Sequence, residues 1–153
     1  MKRRDFVRTS SGIAAAWLLV PRTVRAAERA LPAMTVYKSP TCGCCKNWVT
    51  LAKGAGFSVR VVDMDDLADV KRNAGVPVDL QSCHTVLVGA YVVEGHVPLD
   101  LVKKMLDEKP KFAGLAVGGM PVGAPGMEQG NMKQPYSVTA FTRDGKTSVY
   151  ARR

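Results

Sequence analysis

The sequence predicts an α/β domain, a sheet of mixed strand direction with helices packed on it, followed by a C-terminal loop and β-hairpin. Two observations carry this. From Met34 onward, short runs rich in β-branched residues alternate with segments whose apolar residues recur at helical spacing. And once an N-terminal leader is set aside, 127 residues remain, enough for one core of ordinary size but not for two.

Residues 34–38 (MTVYK) form the first β-rich run and meet a turn at Ser39-Pro40-Thr41, after which three cysteines open a helix. Residues 46–55 place Trp48, Val49, Leu51 and Ala52 at helical spacing, with Gly54 or Gly56 as the stop. Residues 58–62 give a second strand, and residues 67–74 a second helix that ends before Gly75 and Pro77. Residues 85–88 and 91–93 are β-rich runs separated by Gly89-Ala90, which is hairpin spacing. Residues 98–108 put Leu99, Val102, Met105 and Leu106 on one helical face, with Pro98 at the start and Pro110 beyond the end. The order β-α-β-α-β-β-α is that of thioredoxin-like domains. Residues 114–135, rich in Gly, Pro and Met and without a sustained period, read as an extended surface loop. Residues 136–141 and 147–151 then form a hairpin turned by Asp144-Gly145.

Residues 1–26 read as an export signal rather than as structure. Lys2, Arg3 and Arg4 make a positive start, residues 13–20 a short apolar core, and Val24-Arg25-Ala26 a cleavage site. The run Lys2-Arg3-Arg4-Asp5-Phe6-Val7 resembles a twin-arginine signal, with an ordinary secretory signal as the alternative. Eight apolar residues are too few to span a bilayer of about 30 Å, so the expected mature domain, residues 27–153, lies free of the membrane, in the periplasm. It keeps 16 basic and 12 acidic residues, a balance of +4 without a basic run, which argues against a nucleic-acid partner.

All four cysteines lie in that domain. Cys42, Cys44 and Cys45 are too close together to staple distant segments, so local chemistry is the better reading. They sit where a strand turns into a helix, and there free backbone N–H groups and the nearby Lys46 favour thiolate over thiol. Cys42 and Cys45 have the spacing of thiol–disulfide oxidoreductases. A third thiol beside such a pair invites scrambling, whereas three thiolates suit a soft ion such as Cu(I). In thioredoxin-like domains the residue before the third strand, usually a cis-proline, faces this motif; here Ser82-Cys83-His84-Thr85 takes its place and offers a fourth sulfur and an imidazole. These ligands would hold one copper ion or a small cluster.

Met120 and Met127, and with less weight Met132, fall in the Gly/Pro loop and are candidate thioether ligands, with gap-filling as the alternative. His96, in Glu94-Gly95-His96-Val97, reads as a solvent-exposed turn histidine, and Trp48 and Tyr37 as core or site-wall residues.

Three segments in order, Val36-Tyr37-Lys38-Ser39-Pro40-Thr41-Cys42-Gly43-Cys44-Cys45, Ser82-Cys83-His84-Thr85, and Met120-Pro121-x-Gly123-x-Pro125-Gly126-Met127-Glu128, make the chain similar to the CopG-like periplasmic copper-resistance proteins, once catalogued as a domain of unknown function. The resemblance implies a thioredoxin-like fold, copper held by Cys42, Cys44, Cys45 and Cys83, and a role in copper resistance, with redox conversion of the metal as one route. Another periplasmic copper carrier or efflux component is the protein partner we expect beside copper itself. Two competing readings stand beside it. One is a thiol–disulfide oxidoreductase with Cys42 as nucleophile and Cys45 as resolving thiol. The other is a four-thiolate zinc site, against which three ligands within four residues is tight spacing.

Overall fold

The computed structural model describes residues 30–153; the proposed leader and its cleavage site lie outside the described residues. The elements follow in the order β1 (Met34–Lys38), α1 (Gly43–Gly54), β2 (Val59–Asp63), α2 (Ala68–Asn73), β3 (His84–Val88), β4 (Tyr91–Glu94), α3 (Leu99–Glu108), β5 (Gly114–Ala116), β6 (Ser137–Phe141) and β7 (Thr147–Arg152). One seven-stranded mixed sheet runs β2-β1-β3-β4-β5-β6-β7. β1 is parallel to β2 and antiparallel to β3, and β3 is antiparallel to β4, which is the thioredoxin-like arrangement.

Alternation along the strands sorts side chains onto two faces. Met34 and Val36 from β1, Val86 and Val88 from β3, and Val93 from β4 meet one buried stripe of α1 (Trp48, Val49, Ala52) and one of α3 (Leu101, Val102, Met105). On α1 the buried residues Cys45, Trp48, Val49 and Ala52 recur every three or four positions, so the helix that buries its tryptophan also turns one cysteine inward. Leu51, expected on that face, is exposed. The opposite face of the sheet carries Val92, Ala116 and Phe141 against Ala74 and Val76 at the end of α2.

The tail departs from the sequence expectation. Residues 114–135 are not wholly a surface loop: Gly114–Ala116 is a buried strand, parallel to β4 and antiparallel to β6, which joins the hairpin to the main sheet. Three residues bounded by glycine and alanine give no readable period, and tertiary pairing alone makes them a strand. Ala124 is also fully buried.

Candidate metal centre

The cysteine motif sits at the start of α1, where helical N–H groups lack partners within the helix. Cys42 is the N-cap, with its Sγ 3.3 Å from the Cys45 amide nitrogen. Cys42 and Cys45 are joined as a disulfide, and Cys44 and Cys83 are free. Cys44 Sγ lies 3.5 Å from Cys42 Sγ, and Cys45 Sγ lies 3.8 Å from the Cys83 carbonyl oxygen. The sulfurs of Cys42, Cys44, Cys45 and Cys83 all fall within 4.8 Å of one another. The start of α1 and the residue preceding β3 thus converge on one point.

A second group shares Cys83. Its sulfur and ring nitrogens of His84 and His96 also lie within 4.8 Å of one another. His96 is fully buried, which corrects the expectation of an exposed turn histidine. A glycine-flanked histidine after a hairpin looks solvated in sequence; here the tail folds over it. His96 Nδ1 donates to the Pro125 carbonyl at 2.7 Å, and because a carbonyl only accepts, this places the proton on Nδ1. The Nε2 lone pair then faces Cys83 Sγ at 3.0 Å. Fixing one ring nitrogen so that the other is presented is how metal-binding histidines are commonly oriented.

His84 Nδ1 lies 3.4 Å from Cys83 Sγ, and its ring stands against Trp48 at a centroid distance of 5.0 Å and edge-on to His96 at 4.9 Å. Trp48 Nε1 donates to the Val97 carbonyl, so the indole is both core and site wall. His84 Nε2 is buried and has no hydrogen-bond partner. Burial first, then His96, Lys71 and Lys38, push the His84 imidazole down to about 3, so its lone pair is not taken by a proton at neutral pH. Burial likewise holds His96 below its ordinary range. Burial, and then the Cys44 thiol beside it, push Cys83 up to about 12. In the metal-free protein Cys83 is therefore a thiol, and its S–H can donate to His96.

The loop reaches the same place. Gly126 has a φ of +84°, and a Cβ there would stand 2.8 Å from the Trp48 nitrogen and 2.9 Å from the Cys44 carbonyl oxygen. Only glycine permits both this conformation and this approach to α1. Met127 is half-buried within the same turn. Met120 is 58% exposed and follows Gly119, whose carbonyl accepts the Ser82 hydroxyl at 2.6 Å. Met132 is also exposed. The loop backbone is therefore docked on both sides of the cluster, with Met120 turned largely to solvent.

Two solved structures of copper resistance protein CopG, forms 1 and 2, each match with a TM-score of 0.76 and 41% sequence identity, over 80% of this chain and 98% of theirs. The chain belongs to the CopG-like copper-resistance family. A family model described as a protein of unknown function, DUF411, matches residues 80–127, which span the Cys83-His84 segment, His96 and most of the loop. No curated protein matches the chain. Among the described residues, no helix is long and apolar enough to cross a membrane. The donor set of this CopG-like chain fits a soft metal ion: four sulfurs and two neutral imidazoles, one of which, His84, has its Nε2 buried without a protein partner.

Proposed function

We propose that this protein acts in the periplasm as a Cu(I)-binding protein of copper resistance, with Cys42, Cys44, Cys45 and Cys83 as thiolate ligands and His84 and His96 as imidazole ligands. The observation that carries the reading is the convergence of four sulfurs from two separate elements within 4.8 Å, with Cys83 shared by a histidine pair. Bound copper would supply a soft Lewis acid and a one-electron couple; the protein supplies the donors, the dry wall of Trp48 and the oriented His96. Loading all four sulfurs requires that the Cys42–Cys45 bond first be reduced, by two electrons and two protons. Met120 and Met127 are placed by this reading as outer thioether donors, and a periplasmic carrier or efflux component as the protein that exchanges copper with the site.

A second reading, thiol–disulfide oxidoreductase, is favoured by one observation, the Cys42–Cys45 disulfide at a helix N-terminus. One experiment separates the two. Reduced protein is loaded anaerobically with excess Cu(I), and its copper content and free thiols are counted beside the Cys44→Ser variant. Tight copper with all four thiols blocked, lost in the variant, supports the metal site. Little copper, with a fast reversible Cys42–Cys45 disulfide that Cys44→Ser leaves intact, makes the protein a redox enzyme.

A further inference from the structure

The loop that brings Cys83 to the cluster lacks the cis-proline expected of this fold, and no cis peptide occurs among the described residues. The chain just before β3 is tied instead by hydrogen bonds of Ser82. Behind the sheet, on the face away from Trp48 and His84, lies a closed polar ring that the metal site does not use. Lys71 from α2 is buried and donates to Glu94 Oε1 at 2.5 Å and to Thr85 Oγ1 at 3.0 Å. The Thr85 hydroxyl donates in turn to Glu94 Oε2 at 2.7 Å. Glu94, fully buried, accepts one further bond, from the backbone N–H of Ser82 at 2.7 Å.

Ser82 is thereby held at several points. Its amide is tied to Glu94, and its hydroxyl donates to the Gly119 carbonyl of the tail. On its remaining side it abuts Gly95, where a Cβ would stand 2.6 Å from the Ser82 hydroxyl oxygen and 2.6 Å from the Val117 carbonyl oxygen. Cys83, one residue on, meets His96 Nε2 at 3.0 Å, a contact that a displacement of about 1 Å would break.

We propose that Glu94 is a positioning residue for the metal centre: its carboxylate, oriented by Lys71 and Thr85, holds the Ser82 amide and so sets where Cys83 Sγ meets His96. A buried ion pair adds little net stability over apolar residues of similar volume, so its consequence here is geometric. A carboxylate with three fixed donors has one orientation, and the Ser82 amide has one place to go. The proposal rests on the metal-site reading only for its copper measurement.

The test compares two paired variants with wild type. Lys71→Met with Glu94→Gln removes both charges but keeps an acceptor for the Ser82 amide. Lys71→Met with Glu94→Leu removes the acceptor as well. Three properties are measured: melting temperature, the rate at which Cys83 is alkylated in the reduced metal-free protein, and Cu(I) affinity by competition. At similar melting temperatures, the Gln pair should stay within about threefold of wild type, while the Leu pair should alkylate at least about tenfold faster and bind copper at least about tenfold more weakly. A folded Leu pair that matches wild type in both overturns the proposal. So does a Ser82 amide in the wild-type protein that exchanges with solvent as freely as those of exposed turns, a measurement that stands even if the Leu pair fails to fold. Wild-type protein that takes up no copper overturns the metal-site reading instead, and the alkylation and exchange results still decide the role of Glu94.

Discussion

Gly126→Ala tests whether the C-terminal loop belongs to the metal site or only lies near it. The added methyl meets two obstacles. At a φ of +84° an L side chain strains the backbone by about 1–2 kcal/mol. The methyl would also sit 2.8 Å from the Trp48 nitrogen and 2.9 Å from the Cys44 carbonyl oxygen, both backbone atoms of α1 that cannot turn aside. Overpacking of this kind costs about 1–3 kcal/mol, for a total of roughly 2–5 kcal/mol. In a domain of this size that corresponds to a fall of roughly 8–20 °C in melting temperature if the whole structure bears the strain. The alternative relief is for the turn to lift from α1, carrying with it the Pro125 carbonyl that orients His96. Loss of such an orienting bond weakens metal binding by about 10–100-fold. The assay is thermal unfolding of the metal-free protein together with Cu(I) competition titration. Gly130→Ala is the control, because Gly130 also has a positive φ but open space at its Cβ; it should show the conformational cost of about 1–2 kcal/mol with copper affinity unchanged. Gly126→Ala protein with wild-type melting temperature and wild-type copper affinity refutes the argument.

Three further outcomes are expected. His84→Leu should stabilise the metal-free protein by about 1 kcal/mol in urea unfolding, because it removes a buried nitrogen without a partner, while weakening copper binding; destabilisation of the metal-free form counts against His84 as a donor held in reserve for metal. Copper at a free concentration about 100-fold above its dissociation constant should add about 2.7 kcal/mol, or roughly 10 °C, to the fully reduced protein. Protein carrying the Cys42–Cys45 disulfide should gain less than half of that, and equal gains in both forms would remove those two sulfurs from the site. Replacement of Arg3 and Arg4 by lysine should block export, measured as the fraction recovered in the periplasm; undiminished export would favour an ordinary secretory signal.

The parts of the molecule legible in the sequence are those fixed by local pattern. Period-two runs and helix-spaced apolar residues marked β1 to β4, the three helices and the terminal hairpin, because each element buries one face and its own residues record which. Cys42, Cys44 and Cys45 announced themselves by spacing. Cys83 and His84 were reachable because the order of elements says what must face the start of α1. What depends on distant segments meeting left no such trace. β5 is a strand only because β4 and β6 flank it. His96 looked solvated until the tail, arriving some thirty residues later, covered it and set its tautomer through Pro125. Lys71 and Glu94 carry no sign of their pairing in the sequence, since nothing local tells a charge in water from one buried against a partner 23 residues away. The sequence by itself determined the fold class and the cluster of Cys42, Cys44 and Cys45, whose signals are local in the chain. Only the tertiary structure decided which imidazoles lie beside Cys83 and that its neighbour Ser82 is tied to Glu94, because burial and hydrogen-bond partners are properties of packing.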